Sequence, residues 1–252
     1  MLEIIILSAI QGVTEFIPIS SSAHLILVSE YFEFNNLGLT LDVSLHLGSL
    51  LAIIFYFRKD VFNFVKNENI FLKVLISSVP TLLVGYLLIH YSLIDYLRGY
   101  KLIGWTTIIF GILLYFSDLK KKTSSIKNNY KLKTALIIGF FQILSLVPGV
   151  SRSGITITGA RFFGFSRVDS VKISFLMSIP VLAVITIYNL KNIIAEDNLE
   201  LSIINLISVI FSFTFSYLTI KFFLDLLRKF SLTFFVIYRV ILGIIILFFA
   251  YL

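Results

Sequence analysis

The chain has 252 residues, of which 58% are hydrophobic and 14% are charged, and its mean hydropathy is +0.98. Because a soluble domain carries roughly 25% charged residues, this composition excludes an ordinary soluble protein and indicates an integral membrane protein. The absence of cysteine excludes disulfides and thiolate chemistry. The formal net charge of +7 is attributed to basic cytoplasmic loops and not to nucleic-acid binding.

The first apolar region, residues 1–29, is interrupted at Pro18 and by the polar stretch SSSAH at 20–24. Glu3 stands where a signal peptide would carry Lys or Arg, so no cleavable leader is expected. Interrupted helices leave backbone groups unpaired, which lipid does not tolerate unless protein or a wet cavity surrounds them. The region is therefore predicted to be a broken or re-entrant helix pair.

Uninterrupted apolar runs follow, each near the roughly 20 residues that a spanning helix needs. They cover 41–57, 71–91, 101–117, 171–190, 202–220 and 233–252. A second interrupted region, 134–164, is broken at Pro148-Gly149 and is predicted to form a second re-entrant pair. The fold class that follows is an all-α polytopic membrane protein with about six to eight spans.

The two interrupted regions resemble each other. Aligning Gln11 with Gln142 also aligns Ser20 with Ser151 without a gap. An internal repeat with a broken helix in each half predicts a binding site between the halves. The predicted units are repeat one at 1–117, repeat two at 134–252 and a basic cytoplasmic loop at 118–133.

Basic residues set the predicted orientation. Fifteen of the 21 lie in four segments that share one side if each broken region returns to the side from which it entered. These segments are 58–70, 118–133, 161–172 and 221–231. The positive-inside rule makes that side cytoplasmic, so the first pair enters from outside and the second from the cytoplasm. The alternative, in which both broken regions span fully, places some basic segments outside.

The first broken region concentrates reactive side chains. Gln11 and Glu15 share a helix face, and Pro18 ends that helix. Ser20, Ser21 and Ser22 can then cap a second helix, with His24 in its first turn. A charge at the bilayer centre costs about 2.5–3.5 kcal/mol, so Glu15 needs a partner or a wet cavity there. The alternative is that Glu15 lies at the outer interface and the serines only cap a helix.

The second broken region, PGVSRSGIT at 148–156, has the composition of an anion site. Ser151 or Ser153 can cap a helix whose free N–H groups and positive dipole end attract anions. Arg152 adds a planar fork that matches phosphate oxygens. Gly154 permits close approach of a ligand, and Thr156 adds a hydroxyl. The alternative is that Arg152 snorkels or pairs with Glu15 for structure alone.

Together the two regions supply the side chains that phosphoryl transfer needs. Ser21 or His24 would be the attacking group or its base, and Glu15 would position a metal or orient His24. Gln11 occupies the place of a second carboxylate. Two further polar residues are interpreted as structural: His46 as a packing histidine, although it could face the cavity, and Arg239 as a snorkelling residue near the cytoplasmic end of its span. The rival class is a lipid-phosphate transporter, which needs the anion site but not the serine and histidine.

The motifs QGVTE (11–15), SSSAH (20–24) and PGVSRSGIT (148–156) resemble those of the undecaprenyl-diphosphatase, or bacitracin-resistance, family. That family carries (E/Q)xxxE, then a serine-rich stretch with His, and later PGxSRSxxT. The span pattern is similar over essentially the whole chain. Gln11 is the neutral option at the first motif position, so Glu15 would act there without a second carboxylate.

The resemblance implies a bacterial inner-membrane enzyme that hydrolyses undecaprenyl diphosphate, recycles the lipid carrier for peptidoglycan synthesis and confers bacitracin resistance. It also implies inverted repeats, an active site open to the outer side, and dependence on Mg²⁺ or Ca²⁺. The motif positions carried over are Gln11, Glu15, Ser21, His24, Ser151, Arg152 and Thr156. Neither the residues nor the resemblance determines the oligomeric state.

Overall fold

The computed structural model describes residues 2–31, 39–59, 61, 68–119, 123–195 and 199–252. Within these residues the structure is built from α-helices. In chain order they are α1 (Leu2–Thr14), α2 (Ser21–Tyr31), α3 (Leu39–Tyr56), α4 (Glu68–His90), α5 (Tyr100–Asp118), α6 (Ile126–Asn129), α7 (Leu132–Ile143), α8 (Arg152–Phe162), α9 (Arg167–Ala195), α10 (Leu199–Leu227) and α11 (Thr233–Tyr251). Short 3-10 turns occupy Asp95–Leu97 and Leu144–Leu146.

The predicted membrane-spanning segments coincide with α3, α4, α5, α9, α10 and α11. Among the described residues, five helices, α4, α5, α9, α10 and α11, are long and apolar enough to cross a bilayer. The apolar part of α3, Leu41–Tyr56, is shorter. The prediction of an all-α polytopic membrane protein is confirmed.

Both interrupted regions form helical hairpins. In the first, Leu7 of α1 clusters with Leu25 and Val28 of α2, so the two helices run antiparallel on either side of a break. In the second, Ala135 of α7 clusters with Ala160 of α8. At 1.5 Å per residue, the 13 residues of α1 cover only about 20 Å of a hydrocarbon layer roughly 30 Å thick. Each hairpin therefore reaches part of the way through the bundle.

The two hairpins enter the bundle from opposite ends. The first packs beside Leu41 and Ile204, in the opening turns of α3 and α10. The second packs beside Val74 and Ile173, near the starts of α4 and α9. The end of α3 meets the start of α9, because Phe57, just after α3, packs edge-on against Phe175 near the start of α9. The starts of α3 and α9 therefore lie at opposite ends of the bundle.

The helix contacts follow an approximate twofold pattern. Helix α1 packs on α10 and α7 packs on α4, while α3 packs on α10 and α9 on α4. Helix α8 packs on α5, and α2 shares a buried cluster with α11. An inverted repeat produces this pattern, although the assigned boundaries at 117 and 134 stay a prediction. Residues 66 and 120–122, which contribute to the basic-residue count, lie outside the described residues.

Candidate active site

The tips of the two hairpins touch near the middle of the bundle. Ser20 and Ser151, the pair aligned by the repeat, each precede the second helix of a hairpin with a positive φ, 77° and 70°. Non-glycine residues rarely adopt this conformation, so its occurrence at both positions supports the alignment. The backbone N–H of Gly149 donates to Ser20 Oγ at 3.2 Å, and Ser153 Oγ donates to the carbonyl of Ile17 at 3.0 Å. These bonds join the two tips.

Glu15 is the centre of the polar cluster at this junction. It is only 7% exposed, and its carboxylate accepts hydrogen bonds from Gln11 Nε2 at 3.0 Å and from Ser21 Oγ at 2.8 Å. Arg152 Nη2 forms an ion pair with its other oxygen. Glu15 therefore lies deep and has charged and hydroxyl partners, which contradicts the alternative of an interfacial Glu15.

Arg152 opens α8 and lies across the junction from α1. Ser151 is the N-cap of α8, and its Oγ accepts the backbone N–H of Gly154 at 3.1 Å. One guanidinium nitrogen of Arg152 pairs with Glu15, whereas the other, Nη1, is buried without a hydrogen-bond partner. A buried, unpaired donor on a cation is costly and is suited to an incoming anion.

His24 lies beside this cluster but does not bond Glu15. Its Nδ1 lies 2.7 Å from the carbonyl oxygen of Ser20, and its Nε2 lies 2.7 Å from the hydroxyl of Tyr238. The expectation that Glu15 orients His24 is therefore wrong for this arrangement, since both ring nitrogens have other partners. Of the two predicted reactive residues, Ser21 and His24, Ser21 is the one that is hydrogen-bonded to Glu15.

The remaining predicted site residues take supporting positions in the structure. Thr156 is fully buried, and its hydroxyl oxygen lies within hydrogen-bond distance of the carbonyl oxygens of Arg152 and Ser153, at 2.8 and 3.2 Å, and of Ser174 Oγ, at 2.7 Å. Gly154 lies within the first turn of α8, and a β-carbon there would come within 2.8 Å of Arg239 Nη1. The predicted role of Thr156 and Gly154 as direct substrate ligands stays a prediction.

His46 lies next to the site. Gln11 Nε2 contacts both Glu15 and His46 Nδ1, the latter at 3.0 Å. Because the amide nitrogen donates, His46 Nδ1 accepts and its proton resides on Nε2. His46 therefore helps to orient Gln11 beside the carboxylate, whereas sequence reasoning favoured a packing role.

Arg239 is a candidate functional residue that sequence reasoning misjudged. It is completely buried in α11, not snorkelling, and its guanidinium donates to the carbonyls of Pro18 at 3.3 Å and of Gly149 and Val150 at 2.9 and 3.0 Å. Its Nε donates to the carbonyl of Thr107 at 3.2 Å. One cation thus holds both tips. An ionisable residue inside a spanning helix is a functional candidate by default, and that principle could have identified it.

Donor atoms at the junction fit a divalent cation only in part. Within the described ranges there is no group of three or more His, Cys, Asp or Glu side chains that could hold a metal. Glu15 supplies a carboxylate, and Gln11 Oε1 is a buried carbonyl oxygen without a partner. Mg²⁺ commonly uses one or two carboxylates together with substrate phosphates, so these two residues fit it when a phosphorylated substrate completes the shell.

The fold and this junction define a class: a polytopic membrane protein in which two opposed helical hairpins meet at a buried polar cluster, where a serine hydroxyl donates to a carboxylate that is paired with an arginine. The family model described as "Bacitracin resistance protein BacA" matches residues 4–245. The chain belongs to this family.

Curated relatives are similar along their whole length. A protein named undecaprenyl-diphosphatase from Pelagibacter ubique is 52% identical over 252 residues, covering 100% of this chain and 98% of the relative. Proteins of the same name from Campylobacter curvus and Saccharophagus degradans are 40% and 39% identical, and each alignment covers at least 96% of both chains. The resemblance found from the motifs is confirmed.

Proposed function

We propose that this chain hydrolyses undecaprenyl diphosphate to undecaprenyl phosphate and inorganic phosphate. The observation that carries the proposal is the junction of the tips, where Ser21 donates to Glu15 at 2.8 Å while Arg152 keeps a buried donor without a partner. A hydroxyl with a base beside an anion site is what phosphoryl transfer requires. The names of the relatives supply the substrate.

Binding of the diphosphate uses the two helix starts. Arg152 Nη1 donates to a phosphate oxygen, and the amino-terminal ends of α2 and α8 add their positive dipole ends. The negative charge of the diphosphate competes with Glu15 for Arg152, which loosens the ion pair between these side chains. Substrate binding thereby frees the carboxylate to act as a base.

The geometry favours Ser21 as the attacking group. Glu15 takes the Ser21 proton, the Ser21 oxygen bonds the terminal phosphorus, and the bridging P–O bond breaks to release undecaprenyl phosphate. Water then attacks the phosphorus of the phosphoserine, the bond from Ser21 Oγ to phosphorus breaks, inorganic phosphate leaves, and Ser21 Oγ takes back its proton from Glu15. His24 Nε2, whose lone pair becomes available when the Tyr238 hydroxyl moves away, accepts a proton from that water.

A divalent cation, Mg²⁺ or Ca²⁺, completes the proposed site. Glu15 and Gln11 Oε1 would hold it together with substrate oxygens, and it would neutralise charge on the diphosphate. Without a second carboxylate the protein binds the cation weakly until substrate arrives.

We place the protein in the bacterial cytoplasmic membrane with the active site open to the outer side. The first hairpin brings Glu15 and Ser21 and enters from the end where α3 and α10 begin. The other end carries the basic segments, including Arg167 and Arg228, so the positive-inside rule makes it cytoplasmic. In this position the enzyme recycles the lipid carrier of peptidoglycan synthesis and opposes bacitracin.

The proposal is tested by phosphate release from undecaprenyl diphosphate in detergent, where hydrolysis is seen but transport between compartments is not. We expect Arg152→Ala to abolish release. Because this change leaves Glu15 buried without its cation, Arg152→Lys serves as a second variant that keeps the charge but loses the fork. Thermal unfolding confirms that each variant is folded. Full turnover in a folded Arg152→Ala protein would contradict the assignment.

A further inference from the structure

The polar junction is continuous with an apolar surface of α11. The carbonyl of Ser20 can only accept, so His24 donates from Nδ1, and its Nε2 accepts from the Tyr238 hydroxyl at 2.7 Å. The two rings are also stacked, 5.8 Å apart with 9° between their planes. Tyr238 therefore marks the point where the reactive cluster meets the last helix.

An apolar groove begins one helical turn beyond that point. It has a volume of about 410 Å³ and lies between α2, the start of α5 and α11. Its lining residues are Leu27, Tyr100, Leu242, Ile245, Ile246, Phe249 and Ala250. Below it, Ala23 and Ile103 are completely buried. From Tyr238 to Phe249 the helix rises by about 16 Å, so the groove runs most of the way along the outer half of α11.

We propose that this groove, the α2–α11 groove, binds the first isoprene units of the substrate's prenyl chain. The inference rests on the proposed function, because a diphosphate held at Arg152 must let its attached chain leave the polar junction. Leu27 follows His24 by three residues and Leu242 follows Tyr238 by four, so both lie one turn along the same helix faces. The chain thus passes from the His24–Tyr238 pair onto a surface lined by hydrocarbon and aromatic side chains.

A second apolar pocket on α11 does not have this continuity. Its lining residues come from α5 and from the end of the chain at α11, and none belongs to α2, the helix that carries His24; they are Trp105, Ile108, Ile244, Leu247, Phe248, Tyr251 and Leu252. Its position on another face of α11 provides a matched control. Ile244 and Ile245 are adjacent, chemically identical and similarly exposed, at 56% and 48%, yet only Ile245 lines the α2–α11 groove.

The test compares Ile245→Trp with Ile244→Trp. Phosphate release is measured with undecaprenyl diphosphate and with dimethylallyl diphosphate, whose single isoprene unit is too short to reach Ile245. We expect Ile245→Trp to raise the ratio of the two KM values, long chain over short, by about tenfold, equivalent to about 1.4 kcal/mol, with little change in kcat. Ile244→Trp should leave that ratio at its wild-type value.

Equal ratios in the two variants would overturn the proposal. A direct measurement is photolabelling of the intact protein by a farnesyl diphosphate analogue with a diazirine at the tail. Label on α2 and the groove face of α11 supports the proposal, and label confined to other helices overturns it. A wild-type protein that binds and labels in the groove but releases no phosphate would refute the proposed function alone.

Discussion

Replacing Arg239 with methionine should weaken the connection between the two hairpin tips. The wild-type guanidinium makes four hydrogen bonds to main-chain carbonyls, three of them at the tips. A typical hydrogen bond contributes about 1 kcal/mol net, and a buried acceptor left unpaired costs about 1–3 kcal/mol. Arg239→Met should therefore cost about 4 kcal/mol, a large share of the roughly 5–15 kcal/mol that stabilises a native protein. At about 2–4 °C per kcal/mol for a chain of this size, the apparent melting temperature should fall by about 8–16 °C.

A second buried arginine, Arg161, provides a control that separates the loss of stability from the loss of site geometry. Arg161 is 2% exposed and pairs with Asp118 at 3.0 Å, at the opposite end of α8 from the junction. Arg161→Met should lower the melting temperature by a similar amount and keep kcat per folded molecule within about threefold, since it does not touch the tips. Arg239→Met should lose both stability and at least about tenfold in kcat, because misplaced catalytic groups lose rate steeply. Melting curves in detergent and phosphate release measure the two effects. An Arg239→Met protein with wild-type turnover and melting temperature would refute the reasoning.

Three further outcomes follow from the junction. Gly154→Ala should reduce kcat by about tenfold, because its β-carbon would come within 2.8 Å of Arg239 Nη1. Gly159→Ala on the same helix, where the nearest atom to the new β-carbon is Phe141 Cγ at 3.3 Å, should be nearly silent in the same assay. Ser21→Ala should lower phosphate release by at least about 100-fold, and the exposed neighbour Ser22→Ala should not, so equal effects would exclude Ser21 as the nucleophile. Chelation by EDTA should abolish turnover reversibly with no change in the melting curve, and full activity in EDTA would remove the divalent cation from the mechanism.

Periodicity, charge and the internal alignment predicted much of this architecture. Two interrupted apolar regions could be recognised because Pro18 and Pro148 cannot continue a helix and hydroxyl residues follow each of them. The alignment of Ser20 with Ser151 also paired two residues that adopt the same uncommon backbone conformation, with a positive φ. A gapless match of polar residues therefore predicted a local geometry as well as a position.

The details of side-chain partnership could not be predicted in the same way. His24 follows Ser21 by three residues, and the two were expected to act as attacking group and base. In the structure the first turn of α2 directs the imidazole to Tyr238, more than 200 residues away in sequence. Arg239 was judged by its distance from the end of its span. Its partners are main-chain carbonyls exposed by the helix breaks. Such carbonyls have no signature in the sequence, because every residue type supplies one.

The two hairpins end at a single guanidinium, and this arrangement makes their local opening a shared event. An amide at either tip can exchange its hydrogen with solvent only after the same contacts break. Protection at residues 17–20 and 148–151 should therefore rise and fall together, although the two segments belong to opposite halves of the chain. Since Arg239 contacts only backbone oxygens there, its share of this coupling depends on the path of the chain at each tip, whereas Ser20 and Ser153 contribute through their side chains.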